Sequence, residues 1–314
     1  MSATRGATTC RAKSAGSPLV LKILLVAGAS AAACAFAAQP AVFDGKRAYE
    51  HVRELVAIGP RPAGSPGATR ARDYITARLR ALDLAVEEQP FEARTPRGVV
   101  RMVNVRATLP GDGGASGSRL IVAGHYDTKL FDEFKFVGAN DGGSSAGFLI
   151  ELARVLKDAK RPVPIELVFF DGEEAVVDWN VGEDNTYGSR HYVAAAKKDG
   201  TLGHIKAMIL IDMIGDRDLR IMRETNSTAW LTEIIWGAAR GAGRREFVDE
   251  FLEVEDDHLP FLRAGVPAVD IIDLDYPAWH TEEDTLDKVS ADSLQAVGDV
   301  LIAAIPAIID RISK

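Results

Sequence analysis

Val168-Phe169-Phe170-Asp171-Gly172-Glu173-Glu174-Ala175 is the stretch that decides the fold. It closes an apolar run from Ile165 to Phe170, interrupted only by Glu166, and it turns abruptly into three carboxylates. A short apolar run of this kind reads as a buried strand of a parallel sheet. Ligands of open α/β sheets sit in the crevice beyond the carboxyl ends of the strands. Glu173 and Glu174 are therefore expected at the lip of the sheet. Adjacent residues point different ways, so one can bind a metal while the other acts as a base. Two crowded carboxylates repel unless a cation or a proton separates them. The competing reading is a solvated acidic loop. Four other stretches that end in the same residue types argue against it.

The nearest of these is the strand Leu120-Ile121-Val122-Ala123-Gly124, which ends in His125-Tyr126-Asp127. Alternation puts His125 and Asp127 on one side, where a carboxylate can orient a metal-bound imidazole. Gly138-Ala139-Asn140-Asp141-Gly142-Gly143-Ser144 follows, a Gly-rich loop with one central Asp ahead of a helix over 145–157. A carboxylate there is favoured by the helix N-terminus, so Asp141 reads as an N-cap, a metal ligand or both. The strand over 207–211 ends in Asp212, and Trp279-His280-Thr281 precedes the last helix, over 291–312. His125, Asp141, Glu174, Asp212 and His280 make a ligand set of oxygen and nitrogen without sulfur. Zinc accepts such a set and keeps a position open for substrate.

Helices are expected over 44–58, with Asp44 as cap, and over 68–82, separated by the Gly/Pro-rich loop Gly59 to Gly67. Strands over 84–91 and 99–109 read as a hairpin at the sheet edge, followed by a loop over 111–118. A polar loop over 176–186 carries Trp179, which reads equally as a pocket wall or as loop packing. A helix over 187–198 carries His191, read as structural. A strand over 219–222 and a helix over 228–241 follow. Asp270 lies inside the apolar strand over 268–272, where a carboxylate costs several kcal/mol unless paired or protonated. The fold class expected is α/β: a single domain with a central mixed, mostly parallel twisted sheet flanked by helices.

The chain has 314 residues, 47% of them hydrophobic, and a formal net charge of -8. That suits an ordinary globular core, and with no basic run after the N-terminus nucleic acid is not an expected partner. Arg5, Arg11, Lys13 and Lys22 precede an Ala-rich apolar stretch, and Ala35-Phe36-Ala37 fits a signal-peptidase site. Residues 1–38 read as a signal peptide and 39–314 as the functional domain. A retained N-terminal anchor and lipidation at Cys34 are the alternatives. The expected location is exported, periplasmic or secreted. Both cysteines, Cys10 and Cys34, lie in that segment, so the mature chain has neither a disulfide nor a thiol ligand.

The order His125-Tyr126-Asp127, Asn140-Asp141-Gly142, Asp171-Gly172-Glu173-Glu174, Asp212-Met213-Ile214-Gly215, Asp256-Asp257-His258 before Pro260-Phe261, and Trp279-His280-Thr281 resembles the superfamily of zinc aminopeptidases with co-catalytic metals. Within it the chain most resembles the animal-type glutaminyl-peptide cyclotransferases. Four features carry that branch: Asp171 to Ala175 with Trp179 close behind, Tyr187-Gly188-Ser189-Arg190-His191, the insert from Lys129 to Phe136, and Trp279 directly before His280. The resemblance implies one zinc on Asp141, Glu174 and His280, with Glu173 as general base and acid. It implies an acid network of Asp212 and Asp256 near Glu173, and a pocket walled by Trp179 and Trp279. His125 and Asp212 would serve a second metal in the two-zinc hydrolases. The implied substrates are peptide or protein N-termini, and a monomer is expected. The implied reaction converts N-terminal glutamine to pyroglutamate with loss of ammonia. The alternatives are an aminopeptidase with two zincs and a binding module that keeps the fold. The chain departs from the cyclases at Asp270, where they commonly carry His, which leaves a changed pocket or another substrate open. It also has Gly124 before His125, so the disulfide of many animal members is impossible.

Overall fold

The apolar run from Ile165 to Phe170 forms a strand buried along its whole length, and five further strands extend on either side of it. The computed structural model describes Thr9 and residues 42–112, 117–180 and 182–314. The expected signal segment and the middle of the loop over 111–118 lie outside the described residues. In chain order the elements are α1 (Gly45–Ile58), α2 (Pro66–Arg80), β1 (Ala85–Thr95), β2 (Gly98–Leu109), β3 (Arg119–His125), α3 (Gly143–Leu156), β4 (Ile165–Phe170) and α4 (Tyr187–Lys198). Then come β5 (Ile205–Asp212), β6 (Ile221–Glu224), α5 (Ala229–Ala242), β7 (Phe247–Leu252), α6 (His258–Arg263), β8 (Ala268–Ile272) and α7 (Ala291–Ile312).

The sheet order is β1-β2-β4-β3-β5-β8. The β1–β2 hairpin is antiparallel, as is β2–β4, and the three remaining pairings are parallel. The expected mixed, mostly parallel sheet with its edge hairpin is what forms. Alternation then assigns the faces. Leu120, Val122, Leu167, Ile209 and Ile211 face one core, covered by α1, α2, α3, α5 and α7. Ile121, Ala123, Val168, Phe170 and Leu210 face a second, covered by α4 and α6. Each such buried side chain contributes about 1.5–3 kcal/mol. Glu166 is tolerated inside β4 because Arg119 Nε stands 3.0 Å away, Arg106 pairs with it and Tyr192 Oη donates to it.

Boundaries shift where capping chemistry decides them. α2 begins two residues before its expected start because Ser65 Oγ accepts from Ala68 N and Pro66 opens the first turn. α3 begins at Gly143, with Gly142 (φ 73) as its N-cap residue. Asp141 is thus not the N-cap, and its side chain is free for other partners. β6 lies two residues later than expected. β7, which pairs with β6 in a separate two-stranded ribbon, and the short α6 had no clear sequence signal: β7 does not alternate and exposes its middle residues Asp249, Glu250 and Phe251, and α6 is six residues long with an internal Pro260. α7 is long and apolar enough to cross a membrane by length and composition, but 61% of that apolar window is buried in the fold, as in a core helix.

Candidate active site and metal centre

The parallel strands β3, β4, β5 and β8 all end at one edge of the sheet, and their ends deliver the chemistry. β3 ends in His125, β4 runs on into Glu173 and Glu174, and β5 ends in Asp212. The loop before α3 supplies Asp141 and the loop before α7 supplies His280. His280 Nε2 lies 3.4 Å from Asp141 Oδ2 and 3.3 Å from Glu174 Oε1. His125 Nε2 lies 3.2 Å from Asp141 Oδ1 and 3.1 Å from Asp212 Oδ1. Two ligand sets result, Asp141–Glu174–His280 and His125–Asp141–Asp212, each with its ligand atoms within 4.8 Å of one another.

The backbone is bent to achieve this. Four described non-glycine residues have positive φ, and three border the site: His280 (φ 55), Met213 (φ 45) beside Asp212, and Thr186 (φ 46), whose N donates to Glu173 O. Such conformations are uncommon for non-glycine residues and collect where function requires them. Gly142 is obligatory, since a Cβ there would lie 2.4 Å from Asp127 O.

Three supports had no role assigned from the sequence or a different one. Asp127 was expected to orient His125, and its Oδ1 is indeed 3.4 Å from His125 Nδ1. It also clamps the acid pair: Glu173 N and Glu174 N donate to its two oxygens at 3.2 and 3.3 Å. Asp284 does the same for the metal loop, accepting from Asn140 N at 2.8 Å and Asp141 N at 3.1 Å, and Tyr276 Oη holds it at 2.7 Å. Arg61, fully buried, donates to Tyr126 O (3.0 Å), Val137 O (2.7 Å) and Gly138 O (2.9 Å), tying the β3 exit to the Asp141 loop. Nothing local in the sequence marks Arg61 or Asp284. The Lys129–Phe136 insert packs against the site: Phe131 and Phe136 present edges to the His280 ring at 5.9 and 6.0 Å, and Trp279 stacks on it at 4.3 Å.

One cavity of about 520 Å³ gathers the expected residues. Asp141, Glu173, Glu174, Asp212, Asp256 and His280 line it, and so do Trp179 and Trp279. Trp179 is therefore pocket wall. His125 sits behind this wall, 3.7 Å from Glu173 Oε2, and His191 stacks on Phe91 as a structural residue. Asp212 and Asp256 face the same cavity, but no direct hydrogen bond joins them among the described residues. Met213 N donates to Asp212 Oδ1, and Asp257 N to Asp256 Oδ1. Their coupling is electrostatic: burial, then the Asp212 charge, pushes Asp256 well above the carboxylate range. Asp270 is fully buried 3.5 Å from His258 Nδ1, and burial followed by Asp256 pushes it up as well.

The charges at the inner wall are unbalanced. Burial, then the charge of Asp141, pushes Glu174 up to about 7. Burial also lifts Glu173 well above its ordinary value, against the pull of His125. Burial alone would lower His280, but Glu174 and Asp141 outweigh it and raise it to about 10. Asp141 Oδ2 and Glu174 Oε2 are buried with no hydrogen-bond partner. Unsatisfied buried carboxylate oxygens are costly. A cation between them removes that cost, and the donor set of one nitrogen and two carboxylates suits a divalent metal. The residues therefore fit a metal.

The sequence pattern of peptidase family M28 matches residues 104–305. The glutaminyl-peptide cyclotransferase of Drosophila melanogaster is 31% identical over 281 residues, covering 79% of this chain and 78% of the fly protein. The chain belongs to peptidase family M28, on its glutaminyl-peptide cyclotransferase branch. Among solved structures, a glutaminyl cyclase from an Acidobacteriales bacterium is 42% identical and superposes with a TM-score of 0.82, covering 87% of this chain and 97% of its own. A leucine aminopeptidase precursor from Bacteroides thetaiotaomicron is 26% identical with a TM-score of 0.77, covering 85% of this chain and 98% of its own. Gly124 fits this M28 sheet tightly: a Cβ there would lie 2.6 Å from Ser145 Cβ, so the position has no room for a cysteine.

Proposed function

We propose that this chain is an exported glutaminyl-peptide cyclotransferase, converting N-terminal glutaminyl residues of peptides to pyroglutamyl residues with release of ammonia. The observation that carries the reading is the cavity in which Glu173 stands beside the Asp141–Glu174–His280 set, under two tryptophans. Asp141, Glu174 and His280 would hold one zinc, which when bound polarises the side-chain amide carbonyl of the substrate. Glu173 is the proton carrier. The substrate's α-amine attacks its own side-chain amide carbon, forming the ring C–N bond. Glu173 takes the proton that the amine nitrogen loses and returns it to the amide nitrogen as the bond between that nitrogen and the side-chain carbonyl carbon breaks, so ammonia leaves. Burial suits it to this work, because a carboxyl raised well above its ordinary value takes up a proton readily and can pass it on. Asp256 opposes the ionisation of Glu173, and Asp212 lines the same cavity beside them. Trp179 and Trp279 hold the glutamine side chain and exclude water. Ring closure is intramolecular, so positioning supplies much of the rate.

Export rests on residues 1–38, read as a signal peptide or N-terminal anchor, and the enzyme is taken to act as a monomer. The aminopeptidase reading has one observation in its favour, the second ligand set His125–Asp141–Asp212. Incubation with a Gln-initiated dipeptide and, separately, a Leu-initiated chromogenic amide separates the two. Ammonia and cyclised product from the first, suppressed by chelator, are expected. Release from the second with none from the first makes the protein an aminopeptidase.

A further inference from the structure

The cavity that holds Glu173 has a closed end and an open end. Asp141, Glu173, Glu174, Asp212 and Asp256 close it and are buried. Asp178, Asn180, Glu253, Glu255, Val177 (51% exposed) and Trp279 (43% exposed) form its mouth. It is a ligand site on grounds independent of the mouth, because Asp141 Oδ2 and Glu174 Oε2 line it buried and unpartnered. A peptide whose first side chain reaches the closed end can leave only through the mouth.

Three of the mouth residues are carboxylates, and almost nothing neutralises them. Lys129 is the one Lys or Arg lining the cavity among the described residues, and like His280 it lies inside: its Nζ donates to Ala175 O at 3.1 Å and stands 4.0 Å from Glu174. Glu253 has no ion pair among the described residues. Asp178 accepts only from Asn180. Glu255 reaches Arg263 at 3.9 Å, with both side chains more than half exposed, a pair worth little. A second cavity, of about 630 Å³, shares Glu253, Val254 and Glu255 with the first and continues past Leu259 and Leu262. The Glu253-Val254-Glu255 segment is thus the sill between the two. The residues of a substrate that follow the first, spaced about 3.3 Å apart when extended, therefore leave past that sill.

We infer that this acidic sill is a specificity subsite, and that the preferred substrates carry Lys or Arg as the second or third residue, following the N-terminal glutamine. The inference rests on the cyclase reading and adds the substrate class. A cleft with one sign of charge and low-dielectric walls concentrates counter-charged ligands and repels like-charged ones. The exposed Trp279 face and Val177 accept the aliphatic stem of such a side chain, and the aromatic face adds cation–π attraction.

The test uses the purified, metal-loaded chain and matched tripeptide amides, Gln-Lys-Ala and Gln-Glu-Ala. At low salt kcat/KM for the Lys peptide is expected to exceed that for the Glu peptide by roughly tenfold, and at about 0.5 M salt by only about two- to threefold. Glu253→Gln with Glu255→Gln brings the low-salt ratio near one, and Lys at both positions inverts it. Both side chains are exposed, and an unchanged melting temperature checks folding. Asp158→Asn with Asp310→Asn, a remote pair removing the same charge, leaves the ratio as it was. Equal kcat/KM for the two peptides overturns the inference while leaving the cyclase. A ratio that survives the double substitution overturns the assignment to the sill. Cyclisation of neither peptide removes the cyclase reading and the inference together.

Discussion

Asp141, Glu174 and His280 form one candidate metal set and His125, Asp141 and Asp212 form another, and Asp141 belongs to both. They differ in what the protein already supplies. In the first, Asp141 Oδ2 and Glu174 Oε2 have no hydrogen-bond partner, and the set opens into the cavity. In the second, His125 Nε2 lies between Asp141 Oδ1 and Asp212 Oδ1, and Met213 N donates into the latter. Burial would lower His125, but Asp212 and Glu173 outweigh it and raise it well above the imidazole range. The His125 imidazole thus stands between the two carboxylates that a second cation would bridge. The comparison teaches that ligand identity does not fix metal number. The same five side chains would serve one metal where the imidazole keeps its carboxylates and two where it takes up a cation.

The largest expected effect tests the residue between the two sets. Glu173→Gln keeps shape and removes the proton carrier. It should lower kcat by about 10²–10⁴ while metal content stays at the wild-type level. Retained activity would mean that protons travel by another group. The second effect tests the sets directly. Wild-type chain should hold one zinc after dialysis, His280→Ala none and Asp212→Asn one, read by elemental analysis. Two zincs in the wild type, falling to one in Asp212→Asn, would break the comparison and favour the aminopeptidase.

A smaller effect tests the support beneath the first set. Asp284 touches no ligand atom, yet it receives the backbone of Asn140 and Asp141. Asp284→Ala should weaken metal affinity by about 10–100-fold, measured by competition with a chelating indicator. Tyr276→Phe, which removes one donor to Asp284, should cost only a part of that. No change in either variant would mean that the loop holds its shape without the carboxylate.

The strands of the main sheet, the edge hairpin and the candidate ligand residues were legible because they are local: an apolar run followed by a carboxylate or a His can be read within a few residues. His125, Asp141, Glu174, Asp212, His280 and both tryptophans come together at one sheet edge because parallel strands end on the same side. What was not legible is mutual. Asp284 acts on residues 143 and 144 positions away, and Arg61 acts on the loop at Val137 and Gly138. A buried guanidinium that serves only carbonyls has no sequence signature. Asp212 and Asp256, expected as an acid network near Glu173, line one cavity with it, and among the described residues no direct hydrogen bond joins the two. Asp270 does lie inside an apolar strand, where burial and its acidic neighbours push its carboxyl well above the ordinary value beside His258.

The smallest expected effect is on stability, and its sign separates an open metal set from a satisfied one. In metal-free chain burial raises Glu174 to about 7 and Asp284 to about 6. A carboxyl raised above its unfolded value of about 4 stabilises the fold when protonated. That contribution is complete below about pH 4 and is lost as pH climbs toward 7. His280, raised to about 10, acts with the same sign: its contribution is complete below about pH 6.5 and declines above. Asp141, held below the carboxylate range mainly by His125 and His280 against burial, already contributes fully above about pH 4 and does not offset the loss. Chelated protein should therefore melt several degrees lower at pH 8 than at pH 5.5. Zinc competes with protons for these same groups, so the rise in Tm on adding it should grow with pH. If the chelated chain instead melted higher at pH 8, the carboxylates of the first set would cost nothing without a cation. The contrast with the self-satisfied second set would then have no energetic basis.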